Sequence, residues 1–169
     1  MKIKKIVQTL GERFLAMAAF ISPFLEVNLY WGAKVFMGTE SAPLKIFWFS
    51  YLAPCVNFYQ NNIYLVFIVM VAVFISCSRG TLSLTKYVRF NAIQAILLNI
   101  LTACAGQVWS YLPIFMREST IGLIMANSIY LLVMGTVGYC ILLIAYEKYP
   151  RLPVVSEGAR LNVQHTYLD

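Results

Sequence analysis

The chain has 169 residues, 60% of them hydrophobic and 12% charged, with a mean hydropathy of +0.73. A soluble domain carries about 25% charged residues, so this composition excludes an ordinary soluble enzyme and implies one polytopic helical membrane domain. The net charge of +6 does not point to nucleic acid, because the basic residues form short clusters beside apolar runs, as membrane lipids and topology selection favour.

Lys2, Lys4, Lys5 and Arg13 form a basic leader with no Ser- and Arg-rich transit character. The first span is expected at about 14–30, with Glu26 near the far interface beside Tyr30 and Trp31, its carboxylate reaching water rather than relaying protons. Ser41 and Pro43 then open an amphipathic interfacial helix over about 42–53, in which Leu44, Phe47, Trp48, Tyr51 and Leu52 recur at helical spacing until Pro54 stops it. Gln60, Asn61 and Asn62 mark a polar turn before a short second span at about 63–78.

A basic connection with Arg79, Lys86 and Arg89 leads into the third span, about 90–112, where 23 residues carry no charge. At about 100° per residue, Asn91, Gln94, Ala95, Asn99, Thr102 and Gly106 fall within one arc of roughly 140°, while Ile93, Ile96, Ile100 and Leu101 lie elsewhere. Carboxamides facing lipid would lose their hydrogen bonds, so the arc must face protein or water. Asn91, Gln94, Asn99 and Thr102 are therefore the candidate face, either for helix contact or for lining a polar path.

The fourth span is expected at about 121–146, with Gly122 and Ala126 at the small-x-x-x-small spacing that lets helices approach. The tail, 147–169, should be an extended arm with a short helix from Ser156. Ten of the 13 Lys and Arg residues fall in the leader, the 79–89 connection and the tail, which places both termini on the inner side. Arg13, Arg79 and Arg89 read as interfacial anchors for anionic lipid. Of Cys55, Cys77, Cys104 and Cys140, at least three read as apolar packing residues, and the lone His165 as a solvated one. No acid–base pair, activated nucleophile, metal set or cofactor motif stands out, so an enzyme ranks last. A carrier would show repeated broken helices, and no repeat is evident.

The stretch Tyr87-Val-Arg89-Phe90-Asn91-Ala-Ile-Gln94-Ala95-Ile-Leu97-Leu98 resembles the signature of the twenty-kilodalton subunit family of the translocon at the inner chloroplast envelope, which includes plastid-encoded and cyanobacterial members. The Arg-Phe-Asn-x-x-Gln-Ala-x-Leu-Leu core is specific. Arg13 with Pro23 and Glu26, Arg79, Asn127, and Leu152-Pro153-Val-Val-Ser156-Glu157 with Gln164 follow in the family's order, covering roughly Arg13 to Gln164. Three positions depart: Asn99 stands where the family usually has Asp, Gly80 where Asn is usual, and Ala19-Phe20 where Pro-Tyr is common.

The resemblance implies an all-α membrane protein with four transmembrane helices and an interfacial helix between the first and second. It also implies a non-enzymatic core subunit of the import translocon that contributes to the preprotein path. Its partners would be the other translocon subunits, preproteins in transit and membrane lipids. Its place would be the plastid inner envelope, with both termini in the stroma, or the plasma membrane of a cyanobacterium. The absence of a transit segment points to plastid encoding or a cyanobacterial source. The alternative is a structural or assembly subunit of another plastid or cyanobacterial membrane complex.

Overall fold

The computed structural model describes residues 2–80, 84–153 and 155–164, with side chains between 10 and 163; the solvated residue expected at His165 lies outside them. Among the described residues every regular element is helical. Three stretches are long and apolar enough to cross a membrane: Leu10–Gly38, Lys86–Tyr111 and Thr120–Ala145. The pair Ala42–Asn61 and Ile63–Arg79, bent by 78°, makes a fourth if it counts as one broken span.

The first span is built in pieces. Helix α1 (Lys2–Ala18) yields to a turn at Ala19-Phe20, and α2 (Ile21–Val27) follows. Pro23 sets the break, because its ring crowds the carbonyl four residues earlier, that of Ala19. A π-helical turn, Asn28–Gly32, then widens the chain before α3 (Ala33–Gly38). Asn28 occupies that turn, donating through Nδ2 to the Phe24 carbonyl at 2.7 Å and accepting at Oδ1 from the Tyr130 hydroxyl at 3.1 Å.

The helix expected to end at Pro54 does not end there. Helix α4 (Ala42–Phe47) passes through a second π-helical turn, Trp48–Leu52, into α5 (Ala53–Asn61), with Pro54 in the first turn of α5. Proline interrupts a regular α-helix by clashing with the carbonyl four residues back, and here that residue, Ser50, lies in the widened turn. The helix bends instead at Asn62, and α6 (Ile63–Arg79) sets off at 78°. Gly80 closes α6 in the left-handed region at φ 68°. Glycine and asparagine are the residues that take this conformation most readily, which explains why Gly80 can replace the family's Asn.

Helix α7 (Lys86–Tyr111) is the centre of the fold and packs against α1, α2, α6 and the C-terminal α10 (Val155–Gln164). A short α8 (Ile114–Arg117) leads to α9 (Thr120–Ala145), whose N-cap Ser119 accepts from the Gly122 N–H at 3.1 Å. A Cβ on Gly122 would lie 2.2 Å from the Met116 carbonyl, so this glycine serves the α8–α9 turn, while Ala126 packs in the core. Beyond α9, Glu147 takes φ 60°, and Lys148 N bonds the Leu143 carbonyl at 2.9 Å in a Schellman closure.

The tail is more than an extended arm. Ala159 and Val163 of α10 join Ile93, Ala92 and Cys77 in one apolar cluster, while the main cluster runs from Ala16 and Phe20 through Trp31, Trp109 and Tyr130 to Ile144. Two cysteines, Cys77 and Cys140, pack in these cores, and Cys55 and Cys104 face outward, where at least three packing cysteines were expected.

Candidate polar path between α2, α5, α6 and α7

The predicted arc on α7 is buried along its length: Asn91 and Gln94 are 0% exposed, Asn99 and Thr102 2%. The four side chains are not equivalent. Asn91 Nδ2 donates to the Tyr87 carbonyl at 2.8 Å and Thr102 Oγ1 to the Leu98 carbonyl at 2.9 Å, both within their own helix. Gln94 is enclosed with neither amide atom paired. Asn99 alone reaches across, its Oδ1 accepting from Ser22 Oγ on α2 at 2.9 Å.

The oily side of α7 divides in two. Ile100 and Leu101 are exposed, but Ile93 and Ile96 are buried. In this half α10 covers Ile93, and Ile96 lines the groove between α2 and α6, so the helix is enclosed nearly all round.

Glu26 corrects the sequence reading most sharply. It does not reach water at an interface: it is 3% exposed and accepts a hydrogen bond from the Tyr59 hydroxyl of α5. The first span runs well past Tyr30, to Gly38, which leaves Glu26 inside it, and the bend at Asn62 swings α5 back against α2. Glu26, Tyr30, Tyr59, Asn99 and Gln107 give polar walls to a cavity of about 140 Å³, closed on the α6 side by Ile63, Val66, Phe67 and Met70. Gln107 Nε2 donates to the Tyr30 hydroxyl at 2.7 Å across its edge. Close approach here depends on Gly106, whose added Cβ would stand 2.1 Å from the Tyr30 ring.

Two further openings adjoin this cavity. Toward lipid, an apolar groove of about 280 Å³ between α2 and α6 shares Val66 and Met70 with it, and has Ser22 and Ile96 in its wall. Toward the α3 and α8 end of the molecule, a polar depression of about 520 Å³ shares Tyr30, Ile63 and Gln107.

The basic residues gather at the opposite end. Arg13 Nη1 donates to the Ala145 carbonyl at 3.3 Å and pairs with Glu147, closing the end of α9. Arg89, 4% exposed, donates from Nε to the Cys77 carbonyl at 2.6 Å and from Nη2 to that of Ser78 at 3.2 Å, capping α6. The Arg89 guanidinium is thus engaged by a helix end inside the protein and that of Arg13 by a helix end at a partly exposed site, whereas Arg79 is exposed. Lys34 binds the Arg117 carbonyl and Glu118 at the other end. Among the described residues no three His, Cys, Asp or Glu side chains lie close enough together to hold a metal ion.

The family model described as "Chloroplast import apparatus Tic20-like" matches residues 10–159, from the start of the first span through the first half of α10. The chain belongs to this Tic20 family. It is 29% identical over 160 residues to the Tic20 family protein Ycf60 of Cyanidioschyzon merolae, covering 95% of this chain and 79% of that one. The Tic20 family protein of Synechocystis sp. is 23% identical over 155 residues, covering 90% and 93%. Protein TIC 20-II, chloroplastic, of Arabidopsis thaliana is 32% identical over 92 residues, covering 54% and 42%. This Tic20 chain is thus an all-α membrane protein of a chloroplast import-related family. Its arc residues Asn91, Gln94, Asn99 and Thr102 all lie inside the matched segment.

Sequence reasoning missed Ser22, Tyr59 and Asn28 with Tyr130. Ser22 and Asn28 read only as residues of the first span, and Tyr59 falls between the expected interfacial helix and the second span. One signal was present: Ser22, Glu26 and Tyr30 recur every four residues, a polar line along one face of the first span.

Proposed function

We propose that this protein is a core membrane subunit of the preprotein-import translocon of the plastid inner envelope, with both termini in the stroma, and contributes to the polypeptide path. The observation that carries this reading is the seam of hydroxyls, amides and one carboxylate from Ser22 and Asn99 to Glu26 and Tyr59, open to an apolar groove between α2 and α6. A translocating chain presents backbone donors and acceptors together with varied side chains. Amides satisfy the former without selecting charge, and an apolar groove accommodates the latter. Partners in this reading are the other translocon subunits, with Arg79 held at lipid phosphates.

Site-specific photo-crosslinking from Asn99 and Ser22, in membranes carrying a precursor arrested in transit, tests the reading. Leu101, 54% exposed, is the lipid-facing control. Adducts to precursor from the seam and not from Leu101 are expected. Adducts confined to other subunits or helices refute the path and leave a structural subunit of a membrane complex. That second reading draws on Asn91 and Thr102, whose bonds stay within α7.

A further inference from the structure

Glu26 is a buried carboxylate beside an open volume, and no Lys, Arg or His lines that volume among the described residues. An ion removed from water costs several kcal/mol unless another charge and hydrogen bonds compensate it. Tyr59 supplies one hydrogen bond. The remaining walls are rich in acceptors. Tyr59 donates to Glu26 and has Ser22 and Asn99 as further hydrogen-bond partners; the Tyr30 oxygen takes one bond from Gln107, Asn99 Oδ1 takes one from Ser22, and each of these two oxygens has a second lone pair. Gln107 adds its own carbonyl oxygen. Asn99 and Gln107 also bring amide donors, so what this set lacks is a positive charge.

We propose that the cavity binds one small ammonium-class cation, with Glu26 as its counter-charge and the oxygens of Tyr30, Asn99 and Gln107 as its acceptors. An ammonium group supplies the missing positive charge together with three donors for these oxygens. The volume of about 140 Å³ holds it with a few waters, each needing about 30 Å³. Entry is by the polar depression that shares Tyr30, Ile63 and Gln107 with the cavity. Arg117 stands in the wall of that depression and not in that of the cavity. The same ammonium chemistry has two sources: a free cation, or a lysine side chain of a polypeptide in transit. The second source rests on the proposed import function.

The first arm of the test uses the full chain in lipid vesicles and needs no import activity. Dicyclohexylcarbodiimide, which enters bilayers and modifies carboxyl groups there, is applied and adducts at Glu26 are followed by mass spectrometry. Methylammonium at about ten times its dissociation constant should slow modification about tenfold, while tetraethylammonium, which has no N–H donor, should not. Unchanged modification in methylammonium overturns the site, and equal protection by sodium overturns the ammonium class. In the second arm, import membranes with an arrested precursor receive a water-soluble carbodiimide that joins a carboxylate directly to an amine. An adduct lost both in Glu26→Gln and when the precursor lysines become glutamine assigns the ammonium to the cargo. Methylammonium protection without that adduct, in membranes where Asn99 still crosslinks the precursor, assigns it to a free cation. Absence of any Asn99 photo-adduct refutes the import path instead, and the vesicle arm then decides the cation site by itself.

Discussion

Gly106→Ala perturbs the point where α7 meets the first span most closely. The new Cβ would lie 2.1, 2.4 and 2.4 Å from Tyr30 Cδ2, Cε2 and Cγ, and Cγ is the root of the ring, so rotation about the outer bond does not clear it. The ring or the helix must retreat by more than 1 Å to reach an ordinary contact, an overpacking that costs about 1–3 kcal/mol. Displacing Tyr30 also breaks the Gln107 Nε2 bond to its hydroxyl, about 1 kcal/mol more. Alanine returns up to about 1 kcal/mol through helix propensity, so the net loss is about 1–3 kcal/mol. At about 2–4 °C per kcal/mol for a chain of this size, the unfolding midpoint in detergent should fall by about 2–12 °C. Thermal unfolding of purified wild type, Gly106→Ala, Tyr30→Leu and the double variant measures it. If the clash is the cause, Gly106→Ala costs less in the Tyr30→Leu background, a coupling of about 1 kcal/mol or more. An unchanged or raised midpoint in the single variant would refute the close-packed junction.

Other expectations follow from the helix ends. Arg89→Gln should cost about 2–4 kcal/mol, because two charge-assisted bonds to the Cys77 and Ser78 carbonyls go at once in a buried site; a midpoint equal to wild type would mean the cap is dispensable. Gly80→Asn should be nearly silent and Gly80→Val should cost about 1–2 kcal/mol or more at φ 68°, as read by the same melting assay. Glu147→Gly relieves a left-handed non-glycine residue while losing a half-exposed ion pair with Arg13, two effects of about 1 kcal/mol or less each, so its midpoint should move little. Tyr130→Phe removes the hydroxyl that holds Asn28 Oδ1 and should cost about 1 kcal/mol or more in unfolding free energy, since the amide oxygen stays buried without a donor.

The arc on α7 was legible because it depends on one helix alone. Uncharged length fixes a span, and 100° per residue places Asn91, Gln94, Asn99 and Thr102 together whatever surrounds them. The Arg-Phe-Asn-x-x-Gln-Ala-x-Leu-Leu core led to the family, and the match over residues 10–159 agrees. Element boundaries were less legible where prolines interact with π-helical turns. Pro54 reads as a stop because its clash depends on the carbonyl of Ser50, and a widened turn at Trp48–Leu52 is not encoded in apolar spacing.

By itself, then, the sequence determined the class, an all-α membrane protein, and the polar side of the central helix, since each follows from local composition and period, whereas the second expected span counts as one only together with the bent stretch before it. Only the tertiary structure decided what meets that polar side. Glu26 and Tyr59 are 33 positions apart, and Ser22 and Asn99 are 77, so no local pattern relates them. Their meeting requires the break set by Pro23, the 78° bend at Asn62 and a side-chain-free Gly106 in combination. Likewise α10, which reads as a short helix on an extended arm, becomes a fourth wall of α7 because Ala159 and Val163 find Ile93 and Cys77 only after the spans have packed. Burial is a property of the assembled helices, and it turned Glu26 from an interfacial carboxylate into an interior one.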